Sequence, residues 1–599
     1  MKLLGIYFLI FAYSCGVVSF GRLVLKSGKF LEDKAFELRL GASFFTGLSI
    51  FLMLWKTLTL FEFRALVALQ LLSLVIFTLL FKDIFRKNLK FKFLSFSISI
   101  IVVLIFTNLE TLRSLTPLTD TFFGDSGLID PFASFGSVVH TFRASNISLF
   151  TIQMDDIPTL GQHIGQSLLA AIPTFLGVKS LLANLNIWLI SIKVFSFIFL
   201  LGLFKSLSFG KYQALLLSFL AFSAQSAFSL SAISTGDTGG SILNMSSSDC
   251  LIGVFSFFTL FLMYLELGKN KLMFFLIQGL FILSWSLTAS HLILIWFGVL
   301  LLDFLLKKTK FEKYETQYEW GAIFSFLLFA VVSAGYGGML APKGLHSNVK
   351  IPGLMQVSRS DRKAISFRNP GISFYSSSTI TRWKQSLSSD EMISTYDAKC
   401  TGDTRILNFL TLDCRGLSKP AGVTFQSGTK EKIAGALKVI PMNTYLSLRV
   451  IFWPLISLIL FFFLRKKIDV GIYKIGPTFI ALFIGGSVIT GTIALYGYVW
   501  ELSRFFYTGW ILGVVFLLLQ TKFLKVQLRA VLITTFFIFS SLGPILEWSL
   551  DIKNVFSTKP SSWTTRTLQD KGSVLGIKKR YEYMLMKHDL YGSELQTIR

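Results

Sequence analysis

Apolar residues in this chain fall in long unbroken blocks, separated by short polar punctuation, and not in alternation. A helix needs about 20 apolar residues to cross the hydrocarbon of a bilayer. Measured against that length, the blocks predict about fourteen transmembrane helices. They lie near residues 3–20, 41–60, 65–81, 93–109, 183–204, 212–231, 250–267, 271–289, 291–306, 320–337, 446–464, 475–496, 503–520 and 530–547. No block shows the period-two pattern of a barrel strand. Inside lipid every backbone polar group needs an internal partner, so the spans are expected as helices. The first block follows Met1 and Lys2 and has a poor cleavage site at Ser14–Cys15–Gly16, so it reads as an uncleaved first helix.

The punctuation carries its own signal. Arg22–Lys34, Lys82–Lys92, Lys205–Lys211, Lys269–Lys271, Lys307–Lys313, Arg465–Lys474 and Lys522–Arg529 are short, basic, and fall on alternate loops. The positive-inside rule assigns them to the cytoplasm. The remaining loops then face outward, and three are large. Residues 110–182 form an acidic loop ending in Ile164–Gly177, which is too short to span and is expected as an interfacial or re-entrant helix. Residues 338–445 are long enough for a small outer domain, and short mixed runs such as Gly371–Tyr375 give it an α/β-type expectation. Residues 548–599 form a basic tail whose side the charge rule and the span count assign differently. The expected organisation is therefore an all-α polytopic membrane protein. It has N-terminal membrane helices over 1–109, the acidic loop over 110–182 and central helices over 183–337. The outer loop domain over 338–445, C-terminal helices over 446–547 and the tail over 548–599 follow.

Composition agrees with that pattern. Hydrophobic residues make up 53% of the 599 and charged residues 15%, where soluble domains carry about 25%. The formal net charge of +25 would point a soluble protein toward nucleic acid. Here Lys and Arg flank apolar blocks, so they read as topology signals and contacts to anionic membrane lipids, and no nucleic-acid partner is expected. Of four cysteines, Cys15 and Cys250 lie in or beside apolar blocks and read as small core residues, whereas Cys400 and Cys414 share the loop 338–445, where a disulfide is open to them if that loop faces an oxidising compartment. No Cys/His array marks a metal site, and no cofactor is indicated.

Chemistry concentrates in the acidic loop. It holds Asp120, Asp125, Asp130, Asp155, Asp156, His140, His163 and Arg143, in a chain where acids are otherwise sparse. A carboxylate there can take a proton from a hydroxyl, and an Arg can hold a departing phosphate. The same residues also suit turns, as in Phe123–Gly124–Asp125–Ser126–Gly127. Asp237 and Asp249, in a Gly/Ser-rich outer loop, either line a cavity with the first loop or cap helices. Arg504, at the outer end of a span beside Trp500 and Tyr507, is a candidate phosphate ligand or an interfacial anchor.

The segment from Pro158 to Pro173, PTLGQHIGQSLLAAIP, resembles the "PPL…LLAAL" stretch after the first outer loop of GT-C glycosyltransferases. These are polytopic enzymes that use polyprenyl-phosphate sugars. The likeness continues in order through the helix pair joined by Lys205–Lys211, the Ser246–Ser–Ser–Asp249 entry to a span, and the polar break Thr288–Ala–Ser–His291. It has an echo at Glu501–Leu–Ser–Arg504. The resemblance implies a bacterial inner-membrane enzyme that moves a sugar from the lipid carrier to a hydroxyl of a glycan, lipid or protein at the outer face. It implies Asp130 as general base with Asp125 as rival, and Arg143 and Arg504 as phosphate ligands. His140, His163, Asp155 and Asp156 would take part in substrate binding. An O-antigen polymerase or ligase is an alternative, with Arg359, Arg362, Arg368 and Arg382 as its residues. A transporter or lipid flippase is another, for which Lys56 and Lys193 are the rare charges inside apolar blocks.

Overall fold

The structure, a computed structural model, describes residues 2–58, 64–85, 97–99, 101, 165, 169, 181–225, 241–243, 248–289, 291–308, 319–335, 452–464 and 502–546. The described residues are mostly helical, with no strand among them. The helices are α1 (Lys2–Ser27), α2 (Phe36–Leu58), α3 (Arg64–Phe85), α4 (Leu181–Ser206), α5 (Lys211–Ser223) and α6 (Ser248–Tyr264). They continue as α7 (Lys271–Leu287), α8 (His291–Lys308), α9 (Trp320–Gly335), α10 (Phe452–Leu464), α11 (Leu502–Gln520) and α12 (Val526–Phe536). The last runs on through a π-helical turn over Phe537–Ser541. Three stretches are long and apolar enough to cross a membrane: Phe36–Leu54, Trp188–Ser206 and Val526–Leu546. Shorter apolar helices accompany them. Each described helix falls on an apolar block of the sequence. The loop 338–445, the tail 548–599 and the block 475–496 lie outside the described residues.

The core sits where α2, α4 and α6 meet. Phe44 stacks on Phe195 with ring centroids 4.0 Å apart, and Phe45 stacks on Phe255 at 5.0 Å. Nearly every residue of α6 is buried, the signature of a helix that is apolar all round because it has no outer face. Elsewhere apolar side chains are left uncovered in helical register. Leu72, Val75 and Leu79 on α3, and Phe324 and Val331 on α9, are exposed. Such stripes are costly in water and neutral in lipid.

Lipid tails are as apolar as Leu, so helices in a bilayer gain little from apolar burial and associate by close packing and polar bonds. Both are present. A Cβ on Gly47 would collide with the Val17 carbonyl, and one on Gly21 with the Ser43 carbonyl, so the α1 and α2 backbones touch directly. Gly41 and Gly202 perform the same service between α2 and α4. Ser14 and Ser191 hydroxyls lie 2.9 Å apart across α1 and α4, and Ser19 donates to the Ser73 carbonyl across α1 and α3. Trp296 Nε1 donates to Gln278 Oε1, and Gln278 Nε2 donates to the Ala322 carbonyl, which joins α8, α7 and α9.

Basic turns that the charge pattern assigns to a common side do meet at one end of the bundle. Lys205 Nζ pairs with Glu37 Oε1 at 2.5 Å, and Lys269 Nζ with Asp33 Oδ1 at 3.2 Å and Glu266 Oε2 at 2.9 Å. Lys522 Nζ donates to the Leu207 carbonyl, and Lys26 reaches Asp83. Leu31, in the left-handed region at φ 57°, is held there by burial and by its N–H donating 2.8 Å to Glu266 Oε2. We call this the turn end.

One helix ends early. The apolar block predicts a helix over 212–231, but α5 stops at Ser223 and Ala224 turns extended. Orphan carbonyls at a helix end must be satisfied inside an apolar bundle. Here the Phe222 carbonyl accepts from Leu243 N–H, and Leu220 accepts from the Ser541 hydroxyl. Gln225 N–H donates 2.8 Å to the Ser540 carbonyl in the π-helical turn. The break is a tertiary arrangement that apolar periodicity alone does not encode.

Candidate functional site

At the end opposite the basic turns, α6 begins at Ser248 and α7 ends at Leu287, with Thr288 as its cap. Asp249 lies in the first turn of α6 and is 4% exposed. From Asp249 to Tyr264 the helix rises about 22 Å, less than the roughly 30 Å of a bilayer's hydrocarbon. This end of α6 holds Asp249 buried within the bundle. Ser248 is fully buried, and its hydroxyl makes no hydrogen bond. The free N–H groups of a helix's first turn favour negative charge. A carboxylate, an unengaged hydroxyl and a helix N-terminus thus share one corner.

Residues of the expected interfacial segment cover that corner. Gly165 is helical, and a Cβ placed on it would lie 2.6 Å from Asp249 Oδ1 and 2.6 Å from Thr288 Cγ2. Any side chain at 165 would displace one of them. Leu169 is buried, and its carbonyl accepts a 2.9 Å bond from Trp188 Nε1 on α4. Thr288 Oγ1 returns its own donor to the Ser284 carbonyl. His291, the first residue of α8, is half-buried nearby in sequence, three residues after Thr288.

The approach to α6 is fixed from below. Residues 241–243 are buried and non-helical, and the Leu243 carbonyl accepts a 2.8 Å bond from Lys193 Nζ. Lys193 is fully buried on α4, about 18 Å along the helix from Lys205. An ionisable group at such depth is a functional candidate by default. Its position holds the segment that leads into Ser248 and Asp249.

Of the residues singled out in the sequence, Asp125, Asp130, His140, Arg143, Asp155, Asp156 and His163 lie outside the described residues, as do Asp237 and the loop arginines 359, 362, 368 and 382. Arg504 lies in the first turn of α11, with only its backbone described. Cys15 and Cys250 are buried, as their apolar settings predict, and Cys400 and Cys414 lie outside the described residues. Asp249 and Thr288 are brought together although 39 residues separate them. The signal for both was present: a polar entry at 246–249 and a polar break at 288–291. Ser248 and Gly165 lie in segments the sequence had singled out, but the unengaged Ser248 hydroxyl and the close approach at Gly165 carried no sequence signal, because both are properties of the packed bundle. Among the described residues no group of three His, Cys, Asp or Glu is placed to hold a metal. Comparison with known protein families, curated proteins and solved structures gave no match.

Proposed function

We propose that this chain is a multi-pass membrane enzyme acting on a lipid-linked sugar. More particularly, it is a glycosyltransferase that moves the sugar from a polyprenyl-phosphate carrier to a hydroxyl acceptor at the outer face of a bacterial inner membrane. About fourteen spans and an outer domain over 338–445 belong to the same reading. The observation that carries it is the buried corner of Asp249, Ser248 and Thr288 packed against Gly165. These residues come from the very segments in which the sequence resembles the GT-C enzymes. In the reaction the acceptor oxygen attacks the anomeric carbon, the carbon–oxygen bond to phosphate breaks, and its electron pair leaves with the phosphate. A carboxylate takes the hydroxyl proton. Asp130 or Asp125 fills that role in this reading, and Asp249 is the described carboxylate best placed to assist from below. Arg143 and Arg504 balance the charge on the leaving phosphate.

The test is consumption of lipid-linked sugar by membranes carrying the wild type, Asp125→Asn, Asp130→Asn or Asp249→Asn. At least one variant is expected to lose about a hundredfold in turnover while still inserting, the lower range for removal of a general base. Full turnover in all three removes the reading.

A second reading has one specific observation in its favour. Lys193 within the bundle, beside a helix that ends at Ser223, resembles the interior charges and interrupted helices of transporters. Transport of a lipid-linked sugar without its consumption, lost in Lys193→Met, decides for it.

A further inference from the structure

A second site lies at the turn end, far from the corner described above. Arg22 near the end of α1, Arg39 in the first turns of α2 and Asp83 in the last turn of α3 line one cleft, together with Ser43. The cleft is shallow and open at its mouth, and the space it encloses is only about 10 Å³, so a ligand oxygen would reach the arginines from the mouth. Arg22 is only 6% exposed. Its Nη2 donates 3.3 Å to Asp83 Oδ2, and Lys26 Nζ lies 3.4 Å from Asp83 Oδ1. A single carboxylate thus answers two cations before Arg39 is considered. Of the other acids nearby, Glu37 is paired with Lys205 and Glu32 is exposed in the α1–α2 turn.

The hydrogen-bond ledger of the cleft is incomplete. Arg22 Nη1 and Arg39 Nε are both buried and neither has a partner. A buried guanidinium N–H without an acceptor is costly, and a planar fork of such donors matches the oxygens of a phosphate. Two forks from adjacent helices, with cationic charge in excess, define a phosphate-oxygen site.

Its surroundings select the source of that phosphate. Val18, Phe36 and Leu40 give the cleft an apolar lining. Leu72, Val75 and Leu79 form an exposed apolar stripe along α3, and Asp83 follows one turn further on the same face. A diacyl lipid can lay a chain along that stripe with its headgroup at Arg22 and Arg39. Basic segments at the cytoplasmic boundary are where anionic headgroups gather. We propose that the α1–α2–α3 cleft binds the phosphate of an anionic phospholipid from the leaflet at the turn end.

The experiment uses the purified full-length chain, stripped of lipid in neutral detergent. Its thermal unfolding midpoint is followed during titration with phosphatidylglycerol, phosphatidylcholine or inorganic phosphate. Phosphatidylglycerol is expected to raise the midpoint saturably, with phosphatidylcholine and phosphate far weaker. In Arg39→Gln, which leaves the Arg22–Asp83 pair intact, the apparent affinity for phosphatidylglycerol should fall by roughly tenfold or more, the loss of one charge-assisted hydrogen bond. Arg22→Gln should abolish the response, and Arg529→Gln, outside the cleft, should leave it unchanged. If Arg22→Gln fails to fold, Arg39→Gln decides alone. Equal responses to the two lipids overturn the proposal, as does an Arg39→Gln response matching the wild type. An equal response to inorganic phosphate leaves an oxyanion site and overturns the lipid.

Discussion

Lys193 Nζ on α4 donates a 2.8 Å hydrogen bond to the carbonyl of Leu243, fifty residues later, in the non-helical stretch that leads into α6. Burying an ammonium costs several kcal/mol, whereas one hydrogen bond to a charged group returns about 1.5–3 kcal/mol. Lys193→Met keeps the volume and removes the expensive group. Its unfolding midpoint should therefore equal or exceed that of the wild type. Consumption of lipid-linked sugar should nonetheless fall about tenfold or more, because the support under Ser248 and Asp249 is released. A lower midpoint with unchanged turnover would show that the amine is only structural.

Glu37 and Lys205 pair across α2 and α4, with side chains 8% and 16% exposed. Removing one member leaves the other charge nearly buried. Glu37→Gln and Lys205→Met should each destabilise by about 3–5 kcal/mol, and the double variant by clearly less than the sum. Denaturant unfolding of all four proteins measures the coupling. Strict additivity would mean the pair contributes nothing.

Gly47 permits backbone contact between α1 and α2, so Gly47→Ala must push the helices apart. A loss of about 1–3 kcal/mol or more is expected. Gly268, in the turn before α7, has nothing within 4 Å of where a Cβ would stand. Gly268→Ala is the matched control and should leave the midpoint unchanged.

Acid should weaken the turn end. Burial pushes the Asp33 carboxyl up, but hydrogen bonds from Lys34 and Lys269 outweigh it and hold the group below its ordinary value of 3.8. At Asp83 burial also acts upward and is outweighed by the charges of Arg22 and Lys26, so that carboxyl too lies low. A carboxyl whose folded pKa is depressed lends stability that is complete above its unfolded pKa. That stability drains as pH falls through the folded value. The midpoint should therefore drop as pH falls below about 4, and Asp33→Asn with Asp83→Asn should flatten that limb. Asp33 is largely exposed, so solvent screening keeps its share small and Asp83 carries more. Lys269 lies on the other side of the scale. Burial pulls it down, yet Glu266 and Asp33 raise it above 10.5 on balance, so its contribution is lost only in strong alkali.

Much of the architecture was legible in the amino-acid pattern, and the reason is local. Apolar block length and the absence of alternation determine helix, since a backbone in an apolar setting must bond to itself. That is why α6 and α7 begin and end within a few residues of their blocks. Alternating basic loops likewise announced which turns share an end, because charge placement follows the chain one crossing at a time. The candidate corner was half legible. Asp249 and Thr288 stood out as polar breaks in apolar sequence, but nothing in their own neighbourhoods paired them or placed Gly165 over them.

What the chain alone determined is the identity and order of the described helices, and with them the gathering of Asp33, Lys205 and Lys269 at one end. Only the tertiary structure decided that α5 stops at Ser223, that Lys193 props Leu243, and that Arg22 and Arg39 face one cleft. The physical reason is range. Helix formation is settled within a few turns of neighbours, whereas these relations balance hydrogen bonds and close contacts between segments tens to hundreds of residues apart, whose partners no local window contains.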